Sequence, residues 1–307
     1  MNFGWGRLIA QSLRDRARLG KVLIVAADTN VNWEELNEIF APTDKIRVLT
    51  TLSLALTEAT ASQDDVIFIA PYHTENITAA AGIAMSKAGV SVVGLGQGTS
   101  RPTFTWTTAA AASWDVSAAD CTLENLKFDL TGFDAITAGF NITAANCHFK
   151  KCEFVTAAAT NQAVLGILTT NAADGLLIED CYSKGTQTGG TTTAIRIVGG
   201  SDHVIQRNTI IGNFTTTIGA IENVTTACDR TVVRDNVIFN QTAASTKAMV
   251  FVSTATAIVA GNLMNIKSGA KPITGANVNV IGSNFVSVTR GSSVLVGNVQ
   301  YIQSANF

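Results

Sequence analysis

From about residue 120 onward one short pattern recurs seven times, and it limits the possible folds more than any other feature of the chain. An apolar residue, two polar residues, a turn residue and a second apolar residue appear as L-E-N-L-K-F (Leu123 to Phe128), F-K-K-C-E-F (Phe149 to Phe154), I-E-D-C-Y-S (Ile178 to Ser183), I-Q-R-N-T-I (Ile205 to Ile210), V-R-D-N-V-I (Val233 to Ile238), V-A-G-N-L-M (Val259 to Met264) and I-G-S-N-F-V (Ile281 to Val286). The turn position holds Leu126, Cys152, Cys181, Asn208, Asn236, Asn262 and Asn284, at intervals of 26, 29, 27, 28, 26 and 22 residues. That period is too long for a hairpin and lacks the spacing of helix-pair repeats. A second apolar pair recurs in step at Ala163-Val164, Ala194-Ile195, Ala220-Ile221, Ala248-Met249 and Pro272-Ile273. Two strand signals per repeat, with room for a third, describe one coil of an all-β, right-handed parallel β-helix solenoid.

One coil cannot bury its apolar edge alone, whereas stacked coils align like residues into columns and close a continuous core. Ile178, Ile205, Val233, Val259 and Ile281 are expected to form such a column. Asn208, Asn236, Asn262 and Asn284 are expected to sit in a tight turn, where Asn tolerates left-handed backbone and its amide can bond the Asn of the next coil. Cys121 with Cys147, and Cys152 with Cys181, share columns on neighbouring coils. Stacked side chains point in parallel, so a disulfide is disfavoured even at a strand spacing of about 4.8 Å.

Only 7% of the residues are aromatic and 14% charged, and four prolines in 307 residues leave room for unbroken strand ladders. A formal net charge of −2 provides no basic face for a nucleic acid. The longest apolar run, Val22 to Ala27, is far short of the roughly 20 residues that span a bilayer. The stretch Leu8 to Leu13 is cut off by Arg14, Asp15, Arg16 and Arg18, which does not suit a secretory signal, so the protein is expected to act where it is made or assembled. Five cysteines without CxxC pairs or histidine partners read as small core residues, and neither a metal nor a cofactor is expected.

Residues 1–60 stand outside the repeat and are expected to form an arm and a small helical cap, with the β-helix running over 61–307. Asn32 is a candidate N-cap for a helix from Trp33 to Phe40, and Leu52 to Ala61 is a second helical stretch. Capping is needed because an open first coil presents unpaired strand edges. Val66 to Ala70 and Val90 to Gly94 are expected to be the first solenoid strands. Phe3, Trp5, Leu8, Ile9 and Leu13 are interleaved with Arg7, Arg14, Arg16 and Arg18, either as a solvated extension or as an arm that docks on an acidic partner surface.

The stretches D-D-V-I-F-I-A-P-Y-H-T-E-N-I-T (Asp64 to Thr78) and G-V-S-V-V-G-L-G-Q-G-T-S-R-P-T-F (Gly89 to Phe104) resemble the pectin-lyase-like β-helix proteins of tailed bacteriophages. The resemblance covers roughly residues 45 to 300, with Tyr72 standing where glycine is common. It implies a virion surface protein, made in the host cytoplasm without a signal peptide. Its partners would be other capsid or tail proteins, a homotrimeric self-assembly and, in tailspikes, a host-surface glycan that is bound or cleaved. Fold alone does not carry activity.

Glycan hydrolysis needs two carboxylates about 5 to 9.5 Å apart across a groove. The nearest candidates are Asp180 and Asp235, which the repeat places two coils apart, about 9.6 Å by strand spacing. Arg207 falls between them, so the column Asp180, Arg207, Asp235 also reads as a cross-strand charge ladder, like Arg196 above Glu222. His73, His148 and His203 fall on different coils and read as loop or surface residues. Trp5, Trp33, Trp106 and Trp114 read as lying off the regular coils. Asp174, Asp202 and Asp229 precede strands, as turn-forming Asp does. The G-L-G-Q-G near Gly94 to Gly98 has no helix after it and reads as a turn. The expected function is a non-enzymatic structural component of a phage particle, capsid-decorating or spike-forming, anchored by the N-terminal arm. The alternatives are a tailspike-like depolymerase and a glycan-binding adhesin.

Overall fold

The computed structural model describes residues 20–27, 46–158, 161–186, 191–214, 218–242, 245, 247–266, 272–281, 284–290 and 293–297. These residues build a parallel β-solenoid of three sheets, with 11, 10 and 8 strands. From Val66–Ile69 onward each full coil contributes one strand to each sheet, as in Leu177–Glu179, Tyr182–Lys184 and Thr193–Ile197, and these strands pair in parallel with their counterparts one coil away. Most strands are three to five residues long with alternating burial, because one face meets the core and the other solvent.

The corner between the first and second sheets is made by two residues in coil after coil: Asn125-Leu126, Lys151-Cys152, Asp180-Cys181, Arg207-Asn208, Asp235-Asn236 and Gly261-Asn262. The first residue of each pair is left-handed, with φ of 56°, 53°, 55°, 54°, 56° and 66°. This corrects the sequence expectation, which gave the left-handed role to the asparagines. The chain needs one left-handed residue to turn outward, and the next residue then sends its side chain into the stack.

There the asparagines form the expected ladder. Asn236 Oδ1 accepts from Asn208 N at 2.9 Å and Asn208 Nδ2 at 3.0 Å, while Asn236 Nδ2 donates to Ile205 O at 2.9 Å and to Asn262 Oδ1 at 3.0 Å. Asn262 bonds Asn284 in the same way, and Asn208 Oδ1 accepts Cys181 N at the other end. The core column reads Phe149, Ile178, Ile205, Val233, Val259. It continues to Val280 rather than Ile281, so the last corner holds one more residue than the six two-residue corners before it. In the third sheet Ile195 pairs with Ile167, not with Ala163-Val164.

Aromatic rings fill the core at the N-terminal end. Phe104, Phe128 and Phe154 stack up the second sheet, and Phe128 and Phe140 meet edge-on at 4.7 Å across the interior. Trp106 and Trp114 belong to this core and are fully buried, so they lie on the regular coils. Ser183 follows Phe154 in the column, ahead of Ile210 and Ile238. A cavity of about 20 Å³ remains beside it, bordered by Phe154, Ile167 and Ile195. All five cysteines are buried free thiols.

The first sheet begins inside the segment 1–60 read as arm and cap: Ile46–Leu49 pairs with Val22–Val25, which pairs with Val66–Ile69. Val22–Val25 and Val66–Ile69 are buried on both faces, and Val22, Ile24, Val66 and Phe68 form a second, smaller apolar cluster outside the main core. Among the described residues one α-helix, α1 (Leu52–Glu58), lays Leu52, Ala55 and Leu56 into the main core among Leu23, Ile67 and Ile83. Glu75 Oε2 accepts Leu52 N at 2.9 Å at its start, and at its end Lys21 Nζ donates to Glu58 O at 2.7 Å while Lys87 Nζ donates to Thr57 O and Ala59 O. The helix stops short of Ala61 because buried Asp65 captures the backbone: Thr60 N donates to Oδ2 at 2.6 Å and Lys21 N to Oδ1 at 2.5 Å. The helix expected at Trp33 to Phe40, with its cap Asn32, lies outside the described residues. At the far end Ser293–Gly297 pairs antiparallel with Phe285–Arg290 and covers that edge of the second sheet.

Two stability changes follow. Asn236→Ala strands buried donors on Asn208 and the carbonyl of Ile205, and should cost roughly 3 kcal/mol at about 1–3 kcal/mol per unsatisfied group, measured by urea unfolding. Ser183→Val should fill the small gap and add about 1 kcal/mol, read in the same experiment as a higher midpoint at unchanged slope.

Candidate functional site

The candidate carboxylates sit on the outside of the corner between the first and second sheets. Strands Leu177–Glu179, Val204–Gln206 and Thr231–Arg234 bring Glu179, Gln206 and Arg234 into one outward column. Asp180, Arg207 and Asp235 follow them in the corner. Gln206 bridges the column: its Nε2 donates to Glu179 Oε2 at 2.8 Å, and its Oε1 accepts Arg234 Nε at 2.8 Å. Arg207 grips Asp180 with both arms of its fork, Nε to Oδ1 at 2.8 Å and Nη2 to Oδ2 at 3.1 Å, and also donates Nη2 to Glu179 Oε2 at 2.5 Å. His148 Nε2 lies 3.2 Å from Glu179 Oε1, within ion-pair range but off the line of a hydrogen bond.

These contacts set the protonation states. Burial alone would push the Glu179 carboxyl up, but the bonds from Gln206 and Arg207 and the charges of His148 and Arg207 hold it below the usual carboxylate range. The bond from Arg207 is the main force keeping Asp180 low. Arg207 is raised in turn by Asp180 and Glu179. Desolvation lowers His148 against the pull of Glu179. A general acid working near neutrality needs its pKa moved upward, and both carboxyls move the other way. Asp235, one coil on from Arg207, has no cation within ion-pair range among the described residues. Its carboxylate leans over Gly261, where an added Cβ would come within 2.3 Å of Oδ1.

His73 and His203 lie in the connections just before strands, as the loop reading expects, but they are buried rather than at the surface, and His148 stands on a strand. His203 is buried, with Nε2 donating to Gly199 O at 3.0 Å, and desolvation lowers its pKa. His73 is buried with Nε2 3.2 Å from Glu75 Oε2. His148 is partly buried on a strand of the first sheet. Burying an imidazole needs only one good partner, which sequence polarity does not register.

Arg196 stands beside Glu222 as expected, ion-paired through Nε to a carboxylate that is almost fully buried. Sequence reasoning missed Arg101, which bonds Asn125 Oδ1 at 3.1 Å and Glu153 Oε2 at 3.2 Å. It lies after the turn Gly98–Ser100, outside the repeat, so no periodic signal marks it. Between that turn and Tyr182 runs a groove of about 410 Å³, lined by Gln97, Arg101, Lys151, Asp180 and the half-exposed Tyr182 ring. Phe3, Trp5, Arg7, Arg14, Arg16 and Arg18 lie outside the described residues. Among the described residues no three His, Cys, Asp or Glu side chains converge as metal ligands would. No family model, curated protein or solved structure matches the chain.

The depressed carboxyls stabilise the fold above their ordinary pKa, near 4, and that contribution is lost as pH falls through the lowered native values. The lowered histidines His148 and His203 act one window higher, with stability present above about 6.5 and falling below it. Arg207→Ala should therefore flatten the acid limb between roughly pH 5 and pH 2 and leave the histidine step in place. Calorimetric melting at a series of pH values measures both limbs.

Proposed function

We propose that the chain is a non-enzymatic structural component of a bacteriophage particle, a rod that decorates the capsid or forms a spike and attaches to another virion protein through its N-terminal arm. The observation that carries the non-enzymatic reading is Arg207, whose guanidinium ties up Glu179 and Asp180 together and holds both in the ionised form. A hydrolase would need one of its carboxyls free and protonated. Arg207 also occupies the corner position between Asp180 and Asp235, the pair that a depolymerase reading would use. The particle reading is supported by the resemblance of Asp64 to Thr78 and Gly89 to Phe104 to phage β-helix proteins, and by a stack in which every coil is bonded to the next. The attachment reading rests on the apolar Phe3, Trp5, Leu8, Ile9 and Leu13 interleaved with the basic Arg7, Arg14, Arg16 and Arg18.

A second reading, a glycan-binding adhesin without cleavage, is favoured by the groove beside Tyr182. A half-exposed phenol ring is a stacking platform for a sugar face, and Gln97, Arg101 and Lys151 supply hydrogen-bond donors around it.

Particles assembled with Asp180→Asn/Asp235→Asn should carry the protein at wild-type copy number and keep their infectivity, read by quantitative gels and plaque counts. Deletion of residues 2–18 should strip the protein from particles while the purified chain keeps its β-sheet circular dichroism. A glycan-releasing activity that vanishes in the double variant would replace the structural reading with the depolymerase.

A further inference from the structure

The outer face of the second sheet changes character along the rod. In the middle coils its outward positions carry Lys127 and Asp129, then Glu153 and Val155, then Tyr182 and Lys184, so each coil holds at least one charge. From Thr209 onward the same columns hold Thr209 and Ile211, Val237 and Phe239, then Leu263 and Asn265, with no charge among them, and Leu263 is 43% exposed. The core does not require this, since Ile210, Ile238 and Met264 are the residues pointing inward on the same strands. Contiguous aliphatic and aromatic side chains on a solvent face mark a contact surface.

The charges on its rim change in the same place. At the corner of the preceding coils Arg207 is paired with Asp180 inside the chain. One coil further on, where the face is apolar, Arg234 and Asp235 are both exposed. Arg234 gives only Nε, to the neutral Gln206, and Asp235 has no cation in ion-pair range among the described residues.

We infer that this strip, Ile211, Val237, Phe239 and Leu263 with the rim Arg234 and Asp235, is the contact face for a second copy of this chain. The rim favours that occupant because it is self-complementary: a rotation that brings two such corners together sets Arg234 of one copy against Asp235 of the other. The strip favours it as well, since its side chains repeat at the coil spacing of about 4.8 Å and another copy presents the same ladder. The inference deepens the structural reading and rests on it for its place in a particle. Its test uses the purified full chain alone, so its failure and the failure of the particle reading are separable.

Sedimentation velocity over a concentration series should show reversible association of the wild-type chain. Leu263→Lys should abolish it, with β-sheet circular dichroism unchanged because the side chain faces solvent. Arg234→Asp and Asp235→Arg should each weaken it at least about tenfold, and an equimolar mixture of the two should regain most of the loss. Arginine fits the left-handed corner, since Arg207 adopts φ 54° in the same column. A wild-type chain that stays monomeric at about 100 μM, an assembly indifferent to Leu263→Lys, or a mixture no tighter than the single variants would overturn the proposal.

Discussion

The solenoid depends on its two-residue corner. A strand that slips by one residue turns its whole apolar set to solvent, so a stack of short strands needs something that resets the phase on every coil. The corner does this with a left-handed residue that turns the chain and an inward residue that bonds the coils on either side. Where the inward residue is Asn, both N–H bonds and both lone pairs of the amide are used within the stack. Where it is Leu126, Cys152 or Cys181 the column stays apolar, and Asn208 ends the ladder on the backbone N–H of Cys181. Across the six coils that share the two-residue corner, variation in repeat length is pushed into the other corners: the second-to-third sheet connection runs from Asp129 to Phe140 in one coil but only from Ile266 to Ile273 in another.

With the phase fixed, each column becomes a one-dimensional packing problem in which a residue meets mainly its counterparts above and below. The N-terminal coils solve it with rings and the later ones with Ile, Val and Met, and Ser183 marks the change with a small gap. The first coil has no counterpart before it and is closed differently. Helix α1 plugs the mouth with Leu52, Ala55 and Leu56, while Glu75, Lys21 and Lys87 satisfy its ends. Asp65, fully buried with both oxygens bonded to backbone N–H groups, ties that plug to the sheet.

What the sequence made legible is whatever the stack repeats. The asparagine ladder, the Arg196 and Glu222 pair and the Asp180 and Arg207 contact could be read because residues in one column differ by one period. The left-handed position was misread by one residue because Asn suits both places in the corner, and only the position of Lys151 and Arg207 shows which place is left-handed. The last coil drifted for a related reason, since its corner has one more residue and Val280 replaces Ile281 in the column. The burial of His73 and His203 in their loops and the place of Trp106 and Trp114 on the coils were missed because polarity and position in the chain stood in for packing. Arg101 and the groove beside Tyr182 had no repeat to betray them, and α1 ends early because of a carboxylate that is local in sequence only to one of its partners.

Only the outward positions of such a stack are free of the core and the corner, so they are where a function can be written without cost to the fold. Charges placed there are first claimed by their neighbours one coil away, about 4.8 Å off, as Glu179 and Asp180 are claimed by Arg207. A catalytic carboxylate therefore has to escape this ladder pairing, and Asp180 does not. The same rule singles out the positions that do escape it. Among the described residues Asp235 has no cation in ion-pair range, and it lies beside a strip of apolar side chains, an arrangement that neither stabilises a monomer nor follows from the repeat, and it is at such exceptions to the ladder that recognition by another molecule has to be sought.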